Sequence, residues 1–329
     1  MASAAALTLL AGEPRAVDDA LVVVAIFAAW RIFLVREPGR RLRAAATVAL
    51  GAGLGTCAGA LQWLPGTIAV STSQRAVSSA ALFTSGSLPS KWLLLLVEPN
   101  LLGGTGSFGE PHFAGSYNLL EVTGYLGILP VVAAVMLLGD FGRRRSLADP
   151  RLPDWLVWHA VALVGLVLAL GGSTPFWHLI AHLPLFGGQR LQSRNLVVVD
   201  FALAMLFAYW ADGALAEDGG PEGAVAERGR GPRLEGGRGQ LGALVPAAAA
   251  ALVVLAVAWG AGFERWMVGA PVPFAGRWQV GAWQLPFLAV DLGAAAWIVW
   301  RRRLGRVARA VSLTVLVGTD IAASIVLSV

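Results

Sequence analysis

Four clusters of arginine, each separated from the next by two long apolar stretches, constrain this chain more than any other feature. They lie at residues 36–43, 143–151, 228–238 and 301–309. Lys and Arg collect in the cytoplasmic loops of membrane proteins, close to the ends of the spans. Two apolar stretches between consecutive clusters would carry the chain across a bilayer and back. The pattern therefore predicts a protein that crosses the cell membrane many times.

The composition agrees with a membrane protein and excludes an ordinary soluble domain. Hydrophobic residues make up 57% of the chain and charged residues 14%, with a mean hydropathy of +0.67, whereas soluble domains are about one-quarter charged. The pI near 10.3 reflects positive charge that lies where membrane orientation requires it, so we expect no nucleic-acid partner. The single Cys57 lies within an apolar run, which argues against a disulfide framework or a Cys-based metal site.

Eight stretches are long and apolar enough for a transmembrane helix, which needs about 20 residues. They are residues 19–35, 42–64, 119–138, 155–170, 195–213, 241–262, 283–300 and 307–329. If these spans alternate, seventeen of the 25 Lys and Arg residues fall on the cytoplasmic side and seven on the other side. The sequence thus predicts an all-α, polytopic transmembrane bundle of about eight spans, with its Arg-rich loops in the cytoplasm.

The connecting segments differ in character. Residues 65–118 form a long outer loop with its own apolar content, which is typical of a functional loop, within a transmembrane region that covers residues 1–213. Residues 214–240 are rich in Gly, Glu and Arg and lack aromatics, so they predict a disordered cytoplasmic linker. Residues 241–329 then form a C-terminal region of three spans. The sequence of the second outer loop, residues 171–193, predicts a short interfacial or re-entrant helix.

Several acidic residues fall within or beside the predicted spans. Asp200, Asp291 and Asp320 lie inside spans, where a charged group is unfavourable unless it meets a partner or lines a cavity. An interhelical hydrogen bond or ion pair and a path for substrate or protons are both open interpretations. Asp18 and Asp19 lie at the end of the first span. They are either ordinary polar groups at a span end, or a general base or divalent-cation site.

Two arginines precede the span 195–213. Arg190 and Arg194 are four residues apart at the predicted outer surface. Guanidinium groups grip phosphate oxygens in a bidentate fork, so the pair suits a phosphate or diphosphate. Contact with lipid headgroups, or pairing with a loop carboxylate, explains the same pattern equally well.

A series of short motifs resembles a known family. The motifs are Leu9 to Pro14 (LLAGEP), Ala60 to Pro65 (ALQWLP), Ser73 to Arg75 (SQR), Glu98-Pro99, Glu121, Tyr125 to Gly127 (YLG), and the block from Leu170 to Arg194 that holds Pro175, Pro184, Arg190 and Arg194. In this order and spacing they resemble the bacterial YfhO-type membrane proteins, which are related to the GT-C class of polyprenyl-phosphate-dependent glycosyltransferases. The resemblance covers roughly residues 7–213.

The resemblance implies a polyprenyl-phosphate sugar donor and an acceptor on the outer face of the cytoplasmic membrane. It implies phosphate binding by Arg190 and Arg194, with Arg75 as a third cation. It also implies acceptor contacts or structural pairing for the glutamates Glu98, Glu110 and Glu121. The acidic catalytic region of the family lies upstream of the matched motifs. The chain is therefore expected to be a C-terminal portion, its N-terminal half missing or supplied by a separate chain.

The function expected from this resemblance is hexosyl transfer if the missing half is joined to this chain. The catalytic base is unassigned, no residue set predicts a metal site, and a divalent cation is left open. The alternative is a membrane scaffold without activity or a transporter-like protein. A transporter predicts internal repeats and broken spans near the middle of the membrane. The sequence shows no repeat between its halves, which favours chemistry at the membrane surface.

Overall fold

The computed structural model describes residues 2–10, 14–72, 83–100, 102–103, 113, 118–144, 153–182, 191–215, 284–300 and 305–328. Within these ranges the chain is built of helices and turns and contains no β-strand, which confirms the predicted all-α class. The helices are α1 (Ala2–Leu10), α2 (Pro14–Leu34), α3 (Pro38–Ala58), α4 (Ala60–Ser71), α5 (Leu119–Val122), α6 (Ile128–Arg144), α7 (Leu156–Leu170), α8 (Trp177–Ala181), α9 (Leu196–Leu215), α10 (Gln284–Trp300) and α11 (Arg306–Ser328).

Two of these helical segments are long and apolar enough to cross a bilayer. They are Leu156–Ser173 and Gln192–Leu215, and they match the predicted spans 155–170 and 195–213. A third crossing is formed if the bent pair α3 and α4 counts as one span. Ile128–Gly139 and Ala289–Val299 are shorter apolar helices. The total of eight spans remains a prediction, and the predicted span 241–262 lies outside the described residues.

The apolar exposed surface of these helices is what a lipid environment requires. Leu42 on α3, Leu61 on α4 and Leu163 on α7 are 72%, 86% and 62% exposed. Water disfavours such large apolar side chains on the outside, whereas lipid chains solvate them. The exposed face therefore supports the membrane location that the helix lengths allow.

The chain divides into two compact units. The first comprises Met1–Pro89 and Ala160–Val199, and the second comprises Ser90–His159 and Asp200–Val329. In the first unit, α1 packs against α2, α3 and α4. In the second unit, α10 packs against α6 and α11. The largest fully buried side chains of the second unit are Trp155, Trp210, Leu95, Leu102, Leu137, Leu206 and Leu313.

Arg41, a member of the first arginine cluster, stabilises the connection between α2 and α3 in the first unit. Arg41 donates hydrogen bonds from Nε and Nη2 to the carbonyl oxygen of Val35, at 3.0 and 2.8 Å. Its Nη2 also donates to the carbonyl oxygen of Phe33 at 3.1 Å. The last carbonyl groups of a helix lack intrahelical partners. Arg41 therefore caps the C-terminal end of α2 and fixes the connection to α3.

The predicted span 42–64 is not one straight helix. It bends by 68° between α3 and α4, at Gly59, where a Cβ would lie 2.7 Å from the Cβ of Leu9. Glycine lets α1 approach this break closely. The indole Nε1 of Trp63 donates to the carbonyl oxygen of Thr56 at 2.9 Å across the bend. After the bend, α4 continues to Ser71. The first part of the predicted outer loop 65–118 is therefore helical.

Two further boundaries differ from the prediction. The predicted span 119–138 is interrupted, because α5 ends at Val122 and α6 begins only at Ile128. The predicted linker 214–240 is helical at its first two residues, where α9 continues to Leu215, and the rest lies outside the described residues. The short helix expected within 171–193 is present as α8.

Close packing between α7 and α9 depends on Gly165. A Cβ at this position would lie 3.0 Å from a methyl group of each of Val198 and Val199, and small residues allow such close helix contacts. Gly165→Ile is expected to lower the free energy of unfolding by about 1–3 kcal/mol through overpacking. Thermal denaturation in detergent would measure it. Gly139→Ile is the matched control, because a Cβ at position 139 would meet no atom of the described residues within 4 Å; equal effects of the two changes would contradict the packing argument.

Candidate functional site

Three segments of the first unit meet at the start of α9. The backbone N–H of Leu191 donates to the carbonyl oxygen of Ser85, and that of Ser193 donates to the carbonyl oxygen of Gly86, both at 3.0 Å. The N–H of Leu88 donates to the carbonyl oxygen of Ala169, also at 3.0 Å. We call this meeting of residues 83–88, 169–172 and 191–195 the polar junction.

Glycines allow the segments of the polar junction to approach each other. Gly86 has φ +71°, and a Cβ there would lie 2.7 Å from Cα of Leu191. Gly171 has φ +43°, and its Cβ would lie 2.9 Å from Cβ of Gln192. Both conformations are accessible to glycine and disfavoured for other residues. The Gly171-Gly172 pair thus lies where the backbone approaches the side chains of Ser87 and Gln192 closely.

Buried polar side chains fill the turn that precedes α9. Gln192, Ser193 and Asn195 are each 0% exposed. The Nδ2 of Asn195 donates to the backbone oxygen of Gln192 at 2.9 Å and to its Oε1 at 3.2 Å. Leu191 adopts the left-handed conformation with φ 63°, which a branched side chain rarely takes. The hydrogen bonds of Asn195 and the left-handed conformation of Leu191 therefore give this turn one defined backbone conformation.

Two polar atoms of the turn have no hydrogen-bond partner among the described residues. They are Oγ of Ser193 and Oδ1 of Asn195, both fully buried. More than nine-tenths of buried polar groups in proteins are paired. Ordered water, an ion or a bound group pairs with such atoms in other proteins.

Arg194 lies between these buried residues and is itself exposed. It lies in a short 3₁₀ helix, Gln192–Asn195, that leads into α9, and its backbone N–H donates to the carbonyl oxygen of Leu191 at 3.1 Å. The polar junction therefore places an exposed guanidinium group close to the start of a long apolar helix.

The structure locates three of the six predicted site residues. Arg194 is exposed in the first unit, whereas Glu98 and Glu121 belong to the second unit, Glu98 fully buried and Glu121 half-buried. Arg75, Arg190 and Glu110 lie outside the described residues. Asp18 and Asp19 are 5% and 6% exposed in the first turns of α2, and the carboxyl group of Asp19 interacts electrostatically with Arg15. Both interpretations of this acidic pair, as polar groups at a span end and as a general base or divalent-cation site, stay predictions.

A second polar constellation lies in the second unit, around Asp320. The hydroxyl group of Tyr125 donates to Oδ1 of Asp320 at 2.8 Å, and the N–H of Ile128 donates to Oδ2 at 3.1 Å. Asp291 on α10 interacts electrostatically with Asp320 on α11. A structural hydrogen bond and a path for substrate or protons both stay predictions for the aspartates within the spans. Asp200, the third, has one buried carboxylate oxygen without a partner in the described part of the chain.

The backbone of residues 123–127 is shaped by this contact. Gly127 has φ +91°, and a Cβ there would lie 2.8 Å from Oδ2 of Asp320, so only glycine leaves room for the carboxylate. Tyr125 lies in this non-helical segment. Its hydroxyl group is the donor that connects this segment to Asp320.

Sequence reasoning did not find the buried polar turn or the role of Tyr125. Gln192, Ser193 and Asn195 stand directly before an apolar run, which looks like an ordinary helix start. The Gly171-Gly172 pair was the available signal, since adjacent glycines can mark a close backbone approach. Comparisons with protein-family models, with curated proteins and with solved structures found no match for this chain.

Proposed function

We propose that this chain is an integral membrane protein that binds the phosphate of a lipid carrier at the N-terminal end of α9. Arg194 is the proposed principal ligand, with Arg190 and Arg75 as additional cations. The observation that carries the proposal is the exposed Arg194 on a turn whose neighbours, Ser193 and Asn195, are fully buried. The buried neighbours fix the backbone of Arg194, so only its side chain has to be ordered when it binds an anion.

The position of Arg194 suits a lipid phosphate in particular. It lies at the end of Gln192–Leu215, a helix long and apolar enough to cross a bilayer, where the headgroup region of a membrane would be. A guanidinium group grips phosphate oxygens in a bidentate fork. A phosphate carried on a lipid chain would reach this position from within the bilayer.

The resemblance to GT-C-related membrane proteins supports a more specific proposal. A polyprenyl-phosphate sugar is the proposed donor, and transfer of its sugar to an acceptor on the outer face is the proposed reaction. Such a transfer needs a carboxylate to activate the acceptor hydroxyl group and cations to stabilise the leaving phosphate. Arg194 suits the second role. Glu98 is 0% exposed, so we propose structural pairing rather than acceptor contact for it.

Arg194→Ala is expected to weaken binding of a short-chain polyprenyl phosphate by about tenfold or more, because a hydrogen bond to a charged group contributes about 1.5–3 kcal/mol. A fluorescence titration of the full chain in detergent would measure it. The same titration with the matching polyprenol, which lacks the phosphate, should show weak binding to both proteins.

Arg36→Ala is the matched control, since Arg36 is also exposed and lies in a different arginine-rich segment. It should leave the affinity unchanged. Equal binding of polyprenyl phosphate by the wild-type protein and Arg194→Ala would refute the assignment of Arg194. If phosphate and alcohol bind the wild-type protein equally well, the proposed lipid-phosphate function itself is wrong.

A further inference from the structure

The three arginines at the start of α3 differ in what they contact. Arg41 donates three hydrogen bonds to carbonyl oxygens at the end of α2. Arg43 is exposed and forms no ion pair or side-chain hydrogen bond with the described residues. Arg40 pairs with Glu37 at 2.8 Å, but both side chains are exposed, by 73% and 64%. Exposed ion pairs of this kind contribute little to stability, so Arg40 can bind another anion in place of Glu37.

The stability of α3 does not explain why these arginines lie at its start. Arg40 and Arg43 are three positions apart and are therefore neighbours on the helix surface, where like charges repel each other. Cations stabilise the C-terminal end of a helix, whereas these two lie in the first two turns of α3. The first turn contains no acidic residue, and Glu37 makes no capping hydrogen bond with its side chain. Most of the positive charge is therefore left for anions outside the helix.

Large apolar side chains accompany the two arginines. Phe33, in the last turn of α2, is 64% exposed, and Leu42, between the arginines, is 72% exposed. The 3.1 Å hydrogen bond from Arg41 to the carbonyl oxygen of Phe33 holds the two helix ends together. We call Phe33, Arg40, Leu42 and Arg43 the headgroup surface. Such a mixture of cations and large apolar groups suits the boundary between lipid headgroups and acyl chains.

We propose that the headgroup surface binds anionic phospholipids of the surrounding bilayer. The bent pair of α3 and α4 is long and apolar enough to form one span, so the start of α3 would lie at the level of the headgroups. There the guanidinium groups of Arg40 and Arg43 would bind lipid phosphates, and Phe33 and Leu42 would contact the acyl chains. An anionic bilayer strengthens the attraction of each arginine at its surface by a factor of about five. This surface is separate from Arg194 and does not depend on the function proposed for that residue.

Photo-crosslinking of the full chain tests the proposal. Phe33→p-benzoylphenylalanine keeps an aromatic ring at the headgroup surface and forms covalent adducts with neighbouring lipids on irradiation. The protein is placed in vesicles of equal parts phosphatidylglycerol, which is anionic, and phosphatidylcholine, which is neutral overall. The mass of each adduct identifies the lipid. We expect the phosphatidylglycerol adduct to exceed the other by about fivefold or more, and this ratio to fall as salt is added.

Leu61→p-benzoylphenylalanine is the matched control, because Leu61 lies on α4 and is 86% exposed. It should give the two adducts in about equal amounts. In the Phe33 photoreactive protein, Arg40→Gln together with Arg43→Gln should bring the ratio close to that of the control. Glu37→Gln removes the carboxylate that competes for Arg40, so this variant should raise the ratio above that of the parent protein.

Three results would overturn the proposal. The first is an equal yield of the two adducts at position 33. The second is an unchanged ratio in the double arginine variant, with Glu37→Gln also without effect. The third is a preference at position 61 as strong as that at position 33, because the preference would then belong to the whole lipid-facing surface. Arg194→Ala should leave the ratio at position 33 unchanged, which separates this surface from the lipid-phosphate site.

Discussion

Gly86→Ala is expected to lower the free energy of unfolding by about 3–5 kcal/mol, one of the largest effects of any single methyl group in this chain. Gly86 has φ +71°, and the added Cβ would lie 2.7 Å from Cα of Leu191. That neighbour is backbone, so rotation of a side chain cannot relieve the contact. The segments must separate, which breaks the hydrogen bonds between residues 85–86 and 191–193. Thermal or chemical denaturation in detergent would measure the loss.

The control for this substitution is Gly53→Ala. Gly53 lies within α3, and a Cβ added there would meet no atom of the described residues within 4 Å, so alanine should raise stability by up to about 1 kcal/mol. Gly86→Ala should also weaken polyprenyl phosphate binding although Arg194 is intact, because the turn that holds Arg194 moves. A Gly86→Ala protein as stable as Gly53→Ala would show that the polar junction is not a fixed contact.

Asp320→Ala is expected to lower the free energy of unfolding by about 2–5 kcal/mol, because it leaves two buried donors without an acceptor. These donors are the hydroxyl group of Tyr125 and the N–H of Ile128. The measurement is the denaturation midpoint of the variant in detergent. Asp212→Ala, at an exposed position of α9, should change the free energy by no more than about 0.5 kcal/mol.

A double-mutant cycle separates this contact from general effects on α11. Tyr125→Phe removes only the donated hydrogen bond, so it should destabilise the wild-type protein by about 1 kcal/mol or more and leave the Asp320→Ala protein nearly unaffected. Equal effects of Tyr125→Phe in the two backgrounds would mean that the hydrogen bond contributes nothing to stability.

The helix positions followed closely from hydrophobic length. The spans predicted at 195–213 and 283–300 correspond to Leu196–Leu215 and Gln284–Trp300. Such helices satisfy their backbone groups internally, so local sequence is enough to locate them. The predicted span 119–138 failed for the opposite reason. Residues 123–127 leave the helix where Asp320, 192 positions after Ile128, accepts the Ile128 N–H.

The candidate site, like the helices, could be predicted from the sequence only in part. The sequence alone pointed to Arg194 as a cation before an apolar helix, and to Asp291 and Asp320 as groups that need partners. A charged residue within an apolar stretch can be recognised directly from the sequence. It could not show that Ser193 and Asn195 are buried, since the 83–88 segment that covers them lies about a hundred residues earlier.

The sequence by itself therefore determined the all-helical class, the positions of the long apolar helices and the residues that carry charge among them. Only the tertiary structure decided which of those charges meet. Hydrophobic length acts within one segment, whereas the bend at Gly59, the turn at Leu191 and the Tyr125–Asp320 hydrogen bond each require a second segment from a distant part of the chain. Steric fit between such segments depends on the fold. In the sequence, scattered glycines are the only sign of it.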